Sequence, residues 1–118
     1  MNKIREIVKM LIKKYKTRSP FEICDRLKIH IVFSGDLPSG VNGVYLNLSD
    51  CGKIILINSS LKKCKLEKIC AHELGHAILH TNLNSFNYDH SLSSEEGKFE
   101  KEADLFAFFL LNECDVVQ

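Results

Sequence analysis

The stretch Cys70–His80, which reads C-A-H-E-L-G-H-A-I-L-H, constrains this chain more than any other part of its sequence. It contains H-E-x-x-H, and residues four apart on a helix lie one above the other, so His72 and His76 can direct ring nitrogens at one cation. Glu73 lies about 100° around such a helix from His72 and about 60° from His76. It is then close enough to hold water beside the cation without being a ligand. The pattern predicts a metal site and an acid/base on one helix.

A hydrolytic zinc site needs three protein ligands and an open position for water, so a third ligand is expected elsewhere in the chain. Glu102 is the predicted third ligand, because it lies between Phe99 and Phe106 at helical spacing, on the core side of the last helix. A carboxylate directed there is costly unless it is paired or binds a metal. Glu100 and Asp104 fall further from the apolar stripe and are expected to reach solvent. The alternative for Glu102 is a rim position paired with a lysine.

Three further histidines are assigned lesser roles. His80 continues the row from His76, but three histidines on successive turns of one straight helix span about 12 Å, too far for all to reach one ion. It is predicted to support the site or to pack at the helix end, with a role as a metal ligand as the alternative. His90 lies in a polar loop and is predicted to be a surface residue, with donation to a developing oxyanion as the alternative. His30, in a strand, is predicted to be structural.

Hydrophobic periodicity predicts four helices and about three strands. The expected helices are 2–16, 20–27, 61–80 and one from Ser93 or Ser94 to about Asn112, and the expected strands are 29–33, 41–46 and 53–58. Ser19 is expected to cap the second helix, and Ser59 or Ser60 the third. Residues 81–93 are predicted to form a polar loop.

These elements predict an α+β fold, a small zincin-like domain in which an antiparallel or mixed sheet packs against four helices. The H-E-x-x-H helix and the glutamate-bearing last helix are expected to form the site. Gly75 in mid-helix costs about 1 kcal/mol relative to alanine, which indicates the close approach of another backbone. The length of 118 residues, with 45% apolar residues, predicts one domain, 1–118, with a substantial core.

Charge and cysteine content narrow the function classes. The net charge of +1 gives no broad attraction to nucleic acid or membranes. Basic residues crowd the first 18 positions, which predicts the solvated face of a helix, or alternatively a docking surface for an acidic partner. The five cysteines are odd in number and form no C-x-x-C, which argues against a disulfide framework and favours reduced thiols in a cytoplasmic protein. No signal peptide or membrane-spanning run is visible in the sequence.

Two motifs together carry a family resemblance. His72–His80, followed by Glu100–Leu111 (E-K-E-A-D-L-F-A-F-F-L-L), resembles the ImmA/IrrE family of metallo-endopeptidases, as do the segments 19–24, 43–45 and 54–58. The similarity covers about residues 15–112. Members usually continue past the last helix with a proline and further helices, whereas this sequence ends at Gln118. We therefore expect the resemblance to carry over more fully to metal binding than to substrate choice.

The resemblance implies a gluzincin-like site with one Zn²⁺, held by His72, His76 and Glu102, and with Glu73 as the catalytic acid/base. Manganese is the alternative ion. It also implies a cytoplasmic protease, often carried on phages and mobile elements, that cleaves a helix-turn-helix repressor. Direct binding to nucleic acid or to a membrane is not expected. The alternatives from other classes are a non-proteolytic binding module with a structural or residual metal site, and a toxin–antitoxin component.

Overall fold

The computed structural model describes residues 2–82, 85–88 and 94–112. In chain order, the elements are α1 (Asn2–Tyr15), α2 (Pro20–Arg26), β1 (His30–Ser34), β2 (Val41–Leu48), β3 (Gly52–Asn58), α3 (Lys63–Leu79), β4 (Ser85–Tyr88) and α4 (Ser94–Asn112). The predicted α+β class, with four helices and a mixed sheet, is confirmed. No helix in the described ranges is long and apolar enough to cross a membrane.

The sheet has the strand order β1-β3-β2-β4. Strands β2 and β3 form an antiparallel hairpin, β1 runs parallel to β3, and β4 runs antiparallel to β2. The prediction of a loop throughout 81–93 is wrong at Ser85–Tyr88, where β4 extends the sheet. The alternation S-F-N-Y is a strand period, which the surrounding asparagines obscured. Each strand of the hairpin therefore also pairs with a further strand on its outer side, and β1 and β4 are the edges of the sheet.

The starts of α2 and α3 show how local hydrogen bonds set helix boundaries. The Ser19 hydroxyl accepts from the Glu22 backbone N–H at 3.3 Å, so the predicted cap of α2 is confirmed. The predicted serine cap of α3 is wrong: the cap residue is Lys62, and it makes no side-chain cap bond. The reason is that Oδ1 of the Asn58 side chain accepts from both the backbone N–H and the hydroxyl of Ser60, at 3.0 and 2.7 Å. That turn delays the helix start.

Helix α3 lies between the sheet and α4, and glycine allows the two helices to approach closely. A Cβ built on Gly75 would lie 3.1 Å from the Phe106 Cβ and 3.2 Å from the Ala103 Cα. The predicted backbone approach at Gly75 is confirmed, and it brings the polar faces of α3 and α4 into contact. The fully buried apolar core around this pair includes Val8, Ile23, Ile55, Leu74, Phe106 and Leu110.

Candidate metal centre

The three residues of the H-E-x-x-H motif are buried on the face of α3 that the sheet and α4 cover. His72, Glu73 and His76 expose 5%, 0% and 1% of their surface. Burial of this many ionisable groups is costly unless each has a partner or a bound ion. The site therefore depends on which groups α4 and β2 place opposite α3.

One carboxylate of α4 contacts both histidines. Oε1 of Glu100 lies 2.8 Å from His72 Nε2, and its Oε2 lies 2.8 Å from His76 Nε2. Among the described residues, His72, His76 and Glu100 form a group whose possible ligand atoms all lie within 4.8 Å of one another. Two imidazoles and one carboxylate are the donor set of several catalytic zinc sites. The chemistry and convergence of these three side chains fit a divalent metal ion.

The structure corrects the predicted position of Glu102. Its Oε1 lies 2.7 Å from His80 Nε2, at the end of α3, and Glu100 rather than Glu102 joins His72 and His76. On a helix, Glu100 and Glu102 each lie about 80° from the centre of the buried stripe of α4, on opposite sides of it. Periodicity alone therefore does not distinguish them. The alternative for Glu102, a rim position paired with a lysine, also differs from the structure, in which its partner is His80.

Asp104 was expected to reach solvent, and its side chain is 73% exposed, yet it contacts the site. Its Oδ1 lies 2.7 Å from His72 Nδ1. Glu100 and Asp104 thus bracket both nitrogens of one imidazole from the same face of α4. A carboxylate on Nδ1 keeps the proton there and leaves the Nε2 lone pair for a metal. The i, i+4 spacing of Glu100 and Asp104, which matches that of the two histidines, is the sequence feature that could have identified both.

Strand β2 makes room for Glu73 by presenting a glycine to it. A Cβ built on Gly43 would lie 3.2 Å from Glu73 Oε2 and only 2.6 Å from Ile69 Cγ2. A side chain at position 43 would therefore displace α3 or the carboxylate. The sequence indicated a glycine at this strand but not its purpose, because the facing residue comes from another element.

The charges within the cluster shift the pKa values of its members. Burial alone would lower the pKa of His72, but hydrogen bonds with Asp104 and Glu100 and the nearby charge of Glu73 raise it to about 10. Burial lowers the pKa of His76, and its bond to Glu100 only partly offsets this. Burial would raise the pKa of Glu100, yet its bonds to both histidines lower it to about 2. Without a bound ion, His72 therefore carries a positive charge beside an ionised Glu100, and a metal that binds His72 Nε2 displaces the proton from that nitrogen.

His80 follows α3 directly and is buried at its C-cap position, with 8% of its surface exposed. Its Nδ1 lies 3.0 Å from Nδ1 of His76. This places it beside the cluster and not within the group of three, in line with its predicted supporting role. His30 is exposed on β1, and His90 lies outside the described residues.

A helix bearing H-E-x-x-H, faced by a carboxylate from a second helix, defines a domain of the metallopeptidase class. Sequence comparison identifies the family. The family described as the IrrE N-terminal-like domain, peptidase M78, matches residues 24–116. The chain belongs to this metallopeptidase family, as its motifs predicted.

Two relatives extend the comparison. The chain is 38% identical over 109 residues to "Uncharacterized immunity region protein 2" of Bacillus phage phi105, covering 92% of this chain and 67% of that protein. It is 33% identical over 108 residues to "Metallopeptidase ImmA" of Bacillus subtilis (strain 168), covering 92% of this chain and 62% of that protein. The chain thus spans under two thirds of the length of the second relative. No solved structure matches it.

Proposed function

We propose that this chain is a zinc-dependent endopeptidase domain in which His72, His76 and Glu100 bind the metal and Glu73 is the acid/base. The observation that carries the proposal is the convergence of the three ligand groups within 4.8 Å, with a fully buried Glu73 next to His72 on the same helix. A structural ion needs no acid/base beside it. The buried glutamate therefore favours catalysis over a binding module with a structural metal.

Each side chain of the site would have a separate role in peptide hydrolysis. A bound Zn²⁺ would supply Lewis acidity, polarising the scissile carbonyl and making water more acidic. Glu73 accepts a proton from the attacking water and delivers it to the leaving amine. Asp104 holds the Nδ1 proton of His72, and Gly43 leaves the space in which the Glu73 carboxylate lies. Manganese is the alternative ion for the same donor set.

The proposed substrate is a protein, specifically a helix-turn-helix repressor of a phage or mobile element in the cytoplasm. The names of the relatives support it, since one is an immunity region protein of a phage and the other a metallopeptidase. An extended peptide can add to a sheet edge through main-chain hydrogen bonds. The edge we favour is β4, because it pairs with β2, and β2 contacts Glu73 through Gly43.

The test is co-expression with a candidate helix-turn-helix repressor, read out as repressor cleavage and as bound zinc. Glu73→Gln should retain zinc and lose cleavage, because the amide cannot accept the proton. Glu67→Gln, an exposed change on the same helix, is the matched control and should behave like the wild type. Equal cleavage by Glu73→Gln, or no cleavage by zinc-loaded wild type, would overturn the proposed activity.

A further inference from the structure

We propose that His80 and Glu102 are positioning residues that hold His76 in the tautomer able to bind a metal. They form a hydrogen-bond chain that begins on the ring nitrogen of His76 facing away from Glu100. The inference rests on the proposed function only in that His76 is taken to be a metal ligand. It does not depend on the substrate or on proteolysis.

The chain of contacts is continuous and buried at its inner end. Nδ1 of His76 lies 3.0 Å from Nδ1 of His80, and Nε2 of His80 lies 2.7 Å from Oε1 of Glu102. The side chains of His76 and His80 are 2% and 5% exposed, while that of Glu102 is 33% exposed. Water therefore has little access to the contact between the two imidazoles, whose hydrogen bonding the protein itself must satisfy.

The carboxylate at the end of the chain sets the proton on each ring. A carboxylate only accepts, so His80 Nε2 must carry the proton that it donates to Glu102. A neutral His80 then has a lone pair on Nδ1, which accepts the Nδ1 proton of His76. A neutral His76 with its proton on Nδ1 has its lone pair on Nε2, the nitrogen that faces Glu100. This is the tautomer that a metal at Nε2 requires.

Without this chain, the opposite arrangement becomes available. A His80 protonated on Nδ1 would donate to His76 Nδ1, and a neutral His76 would then carry its proton on Nε2, where it would block a metal. Glu102 disfavours that arrangement, because a lone pair on His80 Nε2 would face a carboxylate oxygen. The direction of both hydrogen bonds thus follows from the one acceptor on α4.

The two histidines of the cluster receive equivalent support by different routes. Asp104 contacts His72 Nδ1 directly, whereas Glu102 reaches His76 only through His80. Glu102 and Asp104 lie on opposite sides of the Ala103 position, so one short segment of α4 supports both imidazoles. Glu102, at the position predicted for a ligand, is thus separated from the ion site by two imidazoles, those of His80 and His76.

A purely structural role for His80 makes the opposite predictions, which allows a decisive test. Its ring packs against Phe99, with centroids 4.5 Å apart. His80→Phe keeps an aromatic ring but removes the acceptor for His76. His80→Asn removes the ring but retains an acceptor, because the side-chain oxygen of asparagine occupies nearly the position of the histidine Nδ1.

The experiment measures Zn²⁺ affinity of the full chain by competition with a chromophoric chelator, and the unfolding temperature of the metal-free variants. His80→Phe should bind zinc about 10- to 100-fold more weakly than the wild type, the loss typical when a group supporting a metal ligand is removed. His80→Asn should bind more tightly than His80→Phe even if it unfolds at a lower temperature. Nitrogen-15 spectra of the zinc-loaded wild type should show His80 protonated on Nε2.

The outcomes separate this inference from the proposed function. Zinc binding by His80→Phe that equals that of the wild type, or that exceeds that of His80→Asn, would overturn the positioning role. So would spectra showing the His80 proton on Nδ1. A wild type that binds no zinc would overturn the metal site itself, and with it the proposed function. A wild type that binds zinc with the expected order of variants but cleaves nothing would overturn only the peptidase activity.

Discussion

At the level of single residues, the cluster joins side chains of two helices, and the rotation of α4 determines which of its carboxylates meets His72 and His76. His72, Glu73 and His76 follow from the spacing of one motif within one helix. Glu100 and Glu102 flank the same buried stripe at similar angles, so the decision depends on how α4 is rotated against α3. That rotation is set by packing between the helices, at contacts such as that of Gly75 with Ala103. The periodicity of the α4 sequence does not indicate these contacts.

Gly43 offers a prediction at the same scale. Gly43→Ala adds a Cβ 3.2 Å from Glu73 Oε2 and 2.6 Å from Ile69 Cγ2, so the carboxylate or the helix must move. We expect the rate of substrate cleavage to fall by about 100-fold, the loss that follows a displacement of about 1 Å at a catalytic group. Bound zinc should remain, because Glu73 is not one of the three ligands. The measurements are cleavage rate and zinc content.

Gly35→Ala is the control for this change. A Cβ at Gly35 would lie 3.5 Å from the Ser59 hydroxyl oxygen, which is an ordinary contact. Gly35 is also distant in sequence from the H-E-x-x-H motif. Its cleavage rate should match that of the wild type. If Gly43→Ala cleaves as fast as Gly35→Ala, the glycine is not what positions Glu73.

At the level of elements, helices were easier to predict than strands or caps. The amphipathic pattern located α1 and α4 closely, since one face of each meets the core. The sequence does not predict β4, because its S-F-N-Y alternation spans just four residues among asparagines and its described pairing is with β2, which is distant in sequence. The cap of α3 was misplaced because Asn58 bonds Ser60 first, a competition between two local motifs that sequence spacing does not rank.

The contact between α3 and α4 can be tested with two helical glycines, Gly75 at the contact and Gly97 away from it. Gly75→Ala places a Cβ 3.1 Å from the Phe106 Cβ, so we expect the free energy of unfolding to fall by about 1–3 kcal/mol from overpacking, despite the better helix propensity of alanine. Gly97→Ala meets nothing within 4 Å, and the free energy should rise by up to about 1 kcal/mol. Chemical denaturation of both metal-free variants measures the difference. Stabilisation by both substitutions would contradict the close helix approach.

At the level of the whole molecule, the fold class was predictable, whereas the strand order was not. The order of helix and strand patterns along the chain predicts a small sheet packed against four helices. Strand β1 pairs in parallel with β3, although β2 lies between them in the sequence. This pairing depends on non-local hydrogen bonds that no local sequence pattern specifies. This topology places α3 with β2 on one side and α4 on the other. The site is therefore assembled from two helices and a strand that are distant in sequence.

The most direct test of the account compares the zinc affinity of Glu100→Gln with that of Glu102→Gln. The same substitution is made on either side of the buried stripe of α4, and each replaces a carboxylate with a neutral amide of the same shape. Glu100→Gln should weaken zinc binding by more than the ~10- to 100-fold loss typical of a supporting group, because it removes a charged ligand. Glu102→Gln should weaken zinc binding by no more than that supporting-group loss, since the amide can still accept the His80 Nε2 proton but no longer excludes the opposite tautomer. The reverse order of affinities would show that Glu102 is the ligand and would contradict the site described for this protein.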